Sequence, residues 1–431
     1  MKNAGSFKIL RNLIGTKPSS MTMSRLVYPG TRRFKMAMSR GIFIVAAKRT
    51  PFGAFGGKLK DLTGTDLCEV AAKAALAAGN INPEIVDSTF VGNVAQTSPD
   101  AAYVARHVAL RSGVPEDKPA LTVNRLCGSG FQSIVSGAQD ILTKDAEVVL
   151  TGGTENMSMA PYTVRGTRFG TKLGVDLKLE DTLWATLTDY HIKTPMGMTA
   201  EKLGAKYGVT REECDQFSML SQQRWKRANE EGRFKEEMAP IEMKSKKGVQ
   251  VFDTDEHPRE TTLESLAKLP PVFQKNGLVS AGNASGICDG AGVVILASEE
   301  AVSKHDLRPL ARLVSYHVSG CDPSIMGIGP VPAVRRALDK AGLQLADMDL
   351  CEVNEAFAAQ FLAVQRELGL DIEKTNTNGG AVALGHPVGA SGSRITAHLA
   401  HELRRTAGRY AMGSACIGGG QGIAVILENV K

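Results

Sequence analysis

The amino-acid sequence predicts an α/β protein built from two similar halves, with a charged segment inserted into the first. Three observations carry that prediction. Short apolar runs alternate with longer stretches whose apolar residues recur at helical spacing. Landmarks repeat at nearly one offset: Gly79 and Gly342 are 263 residues apart, Asn93 and Asn354 are 261 apart, and Ser129-Gly130 and Ser391-Gly392 are 262 apart. Between these repeats, residues from about 159 to 277 break the alternation and are rich in charge. So long an offset points to duplication of a domain, not to a short-period repeat.

The elements follow in order. The body opens near Gly41 with a buried strand over Ile42–Val45. Thr65-Asp66 starts a helix carrying Leu67, Val70, Ala71, Ala74 and Ala75 to a stop at Gly79. Asp87–Val91 and Ala120–Val123 read as strands. After the turn Cys127-Gly128-Ser129-Gly130, the residues Phe131, Ile134, Val135, Ala138, Ile141 and Leu142 form one apolar face of a buried helix. Val148–Leu150 is the next strand. Within the insertion, Thr210-x-x-Glu213 is a capping box for a helix ending at Gly232. The first half resumes with Ala281–Ala297. In the second half a helix runs from Ser391, and Cys416–Gly422 joins strands at Tyr410–Ala415 and Ile423–Leu427. This reading divides the chain into a leader at 1–38, a first half at 39–158 and 278–306, an inserted loop domain at 159–277, and a second half at 307–431.

Composition narrows the function. The 431 residues are 43% hydrophobic, and no apolar run approaches the roughly 18–20 residues of a membrane-spanning helix. The net charge of +6 is misleading. Nine of the 51 Lys and Arg lie in residues 1–40 with no acid among them, which leaves 42 against 45 Asp and Glu in the body. A basic nucleic-acid-binding body is therefore unsupported. The leader is basic and Ser-rich, with Phe7, Leu10, Leu13 and Ile14 at helical spacing, as in a mitochondrial transit peptide; a plain basic tail is the alternative. The C-terminus Glu428–Lys431 is not a peroxisomal S-K-L, and Met38 offers a second possible start. Seven cysteines, an odd number with no C-x-x-C pair, fit neither a disulfide framework nor a zinc ribbon, and no metal is expected.

Three places carry chemistry. Cys127 lies between a strand and a helix start, where unpaired N–H groups and the helix dipole would lower a thiol pKa; a small core cysteine is the other reading. Gly385-His386-Pro387 precedes the helix from Ser391, at the matching spot of the second half, which favours His386 as a base over a structural role. Cys416-Ile417-Gly418-Gly419-Gly420-Gln421-Gly422 exposes backbone N–H groups suited to an oxyanion hole, beyond what a hairpin needs. Gly128-x-Gly130 has Ser133 where a dinucleotide fingerprint needs its third glycine.

Together these residues resemble the thiolase family. The matching segments are NRLCGSGFQS (124–133), AGNASG (281–286), GIGPVPA (327–333), EVNEAF (352–357), NGGAVALGHPVGASG (378–392) and CIGGGQG (416–422), spread over the whole body. The segment at 168–189 is similar to the branch that cleaves 3-oxoacyl-CoA, not the acetoacetyl-CoA-specific one. The resemblance implies a five-layer αβαβα fold with duplicated halves and an inserted loop domain. It implies thiolysis of 3-oxoacyl-CoA by CoA, with CoA as a substrate and no cofactor. Cys127 would be the nucleophile, His386 its base, and Cys416 the proton shuttle. His386 with a water held by Asn354 would form one oxyanion hole, and the amides of Cys127 and Gly418 the other. Ser285, Arg259 and Thr261 match CoA contacts. A homotetramer, a dimer of dimers, in the mitochondrial matrix is the expected setting. Competing readings are an acetoacetyl-CoA thiolase with hydrolase side activity, a ketosynthase-like condensing enzyme, and a non-enzymatic acyl-CoA or lipid carrier.

Overall fold

The computed structural model describes residues 41–245 and 248–430; the predicted leader lies outside them. The first half supplies strands β1 (Ile42–Arg49), β2 (Ser88–Gly92), β3 (Ala120–Val123), β4 (Val148–Asn156) and β5 (Cys288–Ser298). The second supplies β6 (Ala311–Gly320), β7 (Leu350–Val353), β8 (Tyr410–Ile417) and β9 (Gln421–Asn429). They form one sheet in the order β7-β8-β9-β6-β1-β5-β4-β2-β3, with a two-residue strand, Gly53–Ala54, paired to the start of β5.

The duplication is visible in the pairing. β2 and β4 are parallel, as are β7 and β8; β4 pairs antiparallel with β5 as β8 does with β9; β5 pairs with β1 as β9 does with β6. Even the β2–β3 pairing has a remnant, the parallel bridge from Cys351 to Thr375. The halves join where Phe43 and Ile44 of β1 meet Arg312 and Ala311 of β6.

Alternation along each strand builds the layers, because successive side chains point to opposite faces. On β5, Val294 and Leu296 face the central core, while Ala291, Val293, Ile295 and Ala297 face an outer one. The central core holds two helices, Ser129–Thr143 and Ser391–Thr406, through Phe131, Ile134, Ile141, Ile395, Leu399 and Leu403. Helices Gly64–Ala78 and Val104–Arg111 cover the outer face of the first half. Helices Pro330–Ala341 and Ala358–Leu368 cover that of the second. The result is αβαβα. Each such fully buried large apolar side chain contributes about 1.5–3 kcal/mol.

Glycines set the approach of the central helices. A Cβ on Gly130 would meet Ser393 N at 2.5 Å, and one on Gly392 would meet Phe131 N at 2.2 Å. Their first turns therefore touch, which brings the loops preceding them, one with Cys127 and one with His386, into one place.

The sheet is interrupted between Asn156 and Cys288. The inserted segment contains helices Met196–Lys206 and Arg211–Glu230, the latter with the Thr210/Glu213 capping box, and a hairpin of Ile241–Ser245 with Gly248–Phe252. Fully buried Arg49 ties it to β1, pairing with Glu237 at 2.6 Å and Asp255 at 2.7 Å. Glu237 also meets His398 at 2.7 Å. In the second half the same β-to-β connection is only the turn Gly418–Gly420, and Leu187 and Met196 of the insertion line one pocket with Gly418 and Gly419 of that turn. No helix among the described residues is long and apolar enough to cross a membrane.

Candidate active site

Cys127 lies in the turn between β3 and the first central helix, preceded by Leu126 in the left-handed region at φ 45°. It is partly exposed on a pocket of about 260 Å³ lined by Val94, Leu126, Leu187, Met196, Val388 and Gly418 among others. Burial pushes its thiol up to about 11. The backbone N–H groups of Gly418 and of Cys127 itself pull the other way, and buried Glu155 reinforces the rise. The expectation of a lowered thiol pKa is thus corrected: desolvation of a thiolate outweighs the helix dipole here. The two amides named for an oxyanion hole do converge on this sulfur.

His386 is 6% exposed. Its backbone N–H donates to the Gly286 carbonyl at 2.9 Å. Its Nδ1 is 2.6 Å from Ser391 Oγ, and its Nε2 is 3.4 Å from Asn354 Nδ2. Burial, then the charge of Arg394, push the imidazole down to about 3, so it is neutral. Arg394 itself pairs with Glu352 inside the protein.

Asn354 follows β7, and its Oδ1 is buried without a partner among the described residues. Cys416 is buried and packs with Met326 and Ala356, and with Met196 of the pocket wall. Its thiol is raised well above its ordinary value, by burial and then by the neighbouring thiols Cys127 and Cys321. Cys416 is not in the glycine turn, as the sequence suggested. It is the penultimate residue of β8, opposite Gly422, and only Gly418–Gly420 turn. Cys416 and Ile417 continue the buried apolar run of β8 and pair with Gly422 and Gln421.

Ser285 stands beside this centre, its N–H bonded to the Ala356 carbonyl at 3.0 Å. Arg259 and Thr261 are elsewhere, on a groove of about 690 Å³ shared with Gln222, Trp225 and Lys226. The link between the two is His257. Its ring fills the space over Gly286, and its Nδ1 is 2.7 Å from the Ala383 carbonyl.

Two supporting groups escaped the sequence reading. The sequence marks Ser391 only as a helix start. Fully buried Glu155 accepts from Asn93 Nδ2 and from the amides of Val94, Ala95 and Gly389, at 3.0–3.1 Å, and burial raises it to about 8. It thereby fastens the His386 loop to the Val94 wall of the pocket. The repeated Asn93 marked its neighbourhood, but nothing in the sequence marked Glu155 itself.

The sequence profile "Thiolase, N-terminal domain" matches residues 42–300, and "Thiolase, C-terminal domain" matches 307–429. The rat protein named 3-ketoacyl-CoA thiolase, mitochondrial, is 70% identical over 395 residues, 91% of this chain and 100% of its own. The crystal structure of human mitochondrial 3-ketoacyl-CoA thiolase in complex with CoA superposes with a TM-score of 0.90 at 68% identity, covering 92% of this chain and 99% of that one. The Bacillus anthracis acetyl-CoA acetyltransferase structure gives 0.88 at 45% identity, over 91% of this chain and all of that one.

Proposed function

This chain belongs to the thiolase family, and from that premise we propose how its residues cleave 3-oxoacyl-CoA with CoA, giving acetyl-CoA and a shortened acyl-CoA. The chain is an acyltransferase of fatty-acid degradation. The observation that supports the assignment of roles is a shared pocket: the Cys127 sulfur receives the amides of Cys127 and Gly418 and neighbours the Cys416 thiol, and Val388, two residues past the neutral His386, lines the same wall.

Cys127 Sγ attacks the 3-keto carbon while its proton passes to His386 Nε2. The tetrahedral oxygen forming there is held by the N–H groups of Cys127 and Gly418. The C2–C3 bond then breaks, and its electron pair leaves as the enolate of acetyl-CoA. That oxygen is stabilised by His386 Nε2–H and by a water on Asn354 Oδ1, a buried acceptor otherwise without a partner. The Cys416 S–H protonates C2, and acetyl-CoA departs. The Cys416 thiolate next takes the proton of incoming CoA, whose sulfur attacks the acyl-Cys127 carbonyl. Collapse releases the shortened acyl-CoA, and Cys127 recovers its proton from His386. A covalent nucleophile, an enolate stabiliser and a proton shuttle are what this C–C cleavage needs. No further cofactor takes part.

CoA is read as lying from the Arg259 and Thr261 groove past Ser285 to Cys127, since the guanidinium of Arg259 has no ion pair among the described residues and suits a phosphate. We further propose residence in the mitochondrial matrix, supported by the acid-free basic leader and the mitochondrial names of the relatives. A homotetramer is supported by β3, a sheet edge with Leu121 55% exposed, and by the apolar Phe169 and Leu173, fully exposed on the insertion. Steady-state thiolysis with 3-oxoacyl-CoA esters from acetoacetyl upward tests the reaction; absence of CoA-dependent cleavage at every length would overturn it. Light scattering reads the assembly, and terminal mass spectrometry of the organellar protein reads its location and leader.

A further inference from the structure

We infer that Arg125 is a positioning residue that locks the Cys127 turn onto the Gly418–Gly420 turn, so that the two oxyanion amides keep their spacing. The inference rests on the roles given above to Cys127 and Gly418. Those amides come from opposite halves of the chain, nearly 300 residues apart in sequence, and backbone pairing does not join them. The Cys127 turn is also under strain, because Leu126 occupies the left-handed region without being glycine. Such a conformation persists only where its surroundings over-determine it.

Arg125 supplies that determination. Its Nε donates to Gln132 Oε1 at 2.7 Å, on the second turn of the central helix. Its Nη1 donates to Gln421 Oε1 at 2.7 Å, the first residue after the glycine turn. Its backbone N–H donates to Ser129 Oγ at 2.9 Å. One planar guanidinium thus holds the helix that follows the Cys127 turn and the strand that follows the Gly418–Gly420 turn. The apolar contact beside it has no slack: a Cβ on Gly128 would meet Ile417 Cδ1 at 2.5 Å. Lysine could not make both bonds, since an ammonium offers no fork.

The test is a double-mutant cycle with Arg125→Met, Gln421→Leu and the pair, plus Arg125→Lys. Turnover is divided by the number of Cys127 sites that acetyl-CoA labels. Each single change should lower kcat per labelled site about tenfold while KM stays within about twofold, since a small misplacement of reacting groups is felt in the transition state. The pair should be no slower than the worse single, and Arg125→Lys should lie between. Unchanged kcat per site, strict additivity, or a rise in KM alone would overturn the inference. Loss of labelled sites with normal kcat in the remainder would show a folding role only and would also overturn it. Should Arg125→Met not fold, Gln421→Leu and Arg125→Lys decide by the same readouts. Failure of the unsubstituted protein to take label on Cys127 would instead overturn the assigned roles.

Discussion

Ser391 Oγ lies 2.6 Å from His386 Nδ1 and 3.2 Å from the Pro387 carbonyl, which can take its single proton. Asn354 Nδ2, which can only donate, faces Nε2 at 3.4 Å, so the lone pair sits on Nε2 and Nδ1 carries the hydrogen that Ser391 Oγ accepts. Ser391→Ala removes this orientation without touching substrate. We expect kcat to fall by about 10–100-fold, part of the usual contribution of a positioned base, with KM nearly unchanged. Steady-state kinetics on the purified variant check it.

Asn354→Ala should preserve the fold, because Asn354 Oδ1 has no partner among the described residues to lose. Turnover should slow by roughly 10²–10³, the usual effect of losing one oxyanion donor. Enolate charge appears only in the transition state, so substrate binding should hold. A near-normal rate with a strongly raised KM would make Asn354 a binding residue.

The resting thiol has a distinctive pH signature. With Cys127 pushed up to about 11 and His386 down to about 3, both partners are neutral between those values. Raising pH therefore creates thiolate progressively, without an early plateau. Alkylation of the Cys127 peptide by iodoacetamide, in substrate-free enzyme, should climb about tenfold per pH unit from neutrality to pH 10. A plateau near pH 7 would indicate a thiolate–imidazolium pair instead.

The raised thiol of Cys127 depends on burial that its local sequence does not encode. Strand, glycine turn and helix were legible around it because each is a local pattern, and the 262-residue echo at Ser391 placed His386 correspondingly. Whether the helix end would dominate its acidity depends on how much protein encloses the sulfur, and walls such as Leu187 and Met196 come from the distant insertion. Glu155 was invisible for the same reason: its donors Val94 and Gly389 belong to different halves. Cys416 lies on the strand and not in the turn; a glycine-rich strand end carries the same sequence pattern as a turn.

The buried cluster of Arg49, Glu237, Asp255 and His398 should make the seating of the insertion pH-sensitive. Burial alone would raise Glu237, yet His398 and Arg49 overcome it and hold it at about 2. Its contribution is present above the unfolded carboxyl value of about 4.3 and is lost as pH falls from there towards 2. For His398, burial lowers and Glu237 raises the imidazole, with a net rise. That contribution is full below about 6.5 and fades as pH rises through the folded value. Glu237→Gln leaves Arg49 and His398 short of a counter-charge, costing about 3–5 kcal/mol near pH 5–6. Melting at matched concentration should show a gap from the parent that narrows at pH 3.

The covalent intermediate should sit on Cys127 and on no other cysteine. Cys127 alone combines exposure to the pocket, two amides aimed at its sulfur and a neutral imidazole in the adjoining loop. Cys416 is buried, and its thiol, raised well above the ordinary value, holds its proton until C2 of the departing enolate claims it. Acetyl-CoA alone should therefore leave one acetyl group per chain, mapped by peptide mass spectrometry to the Cys127 peptide. Cys127→Ser should abolish it, because a serine hydroxyl is too weakly acidic for a base held near 3 to activate. Cys416→Ala should still accept the first acyl group from acetyl-CoA only slowly, since CoA leaves without its proton donor, and should turn over very poorly while folding normally. A label on Cys416, or full thiolysis by Cys127→Ser, would reverse the two roles.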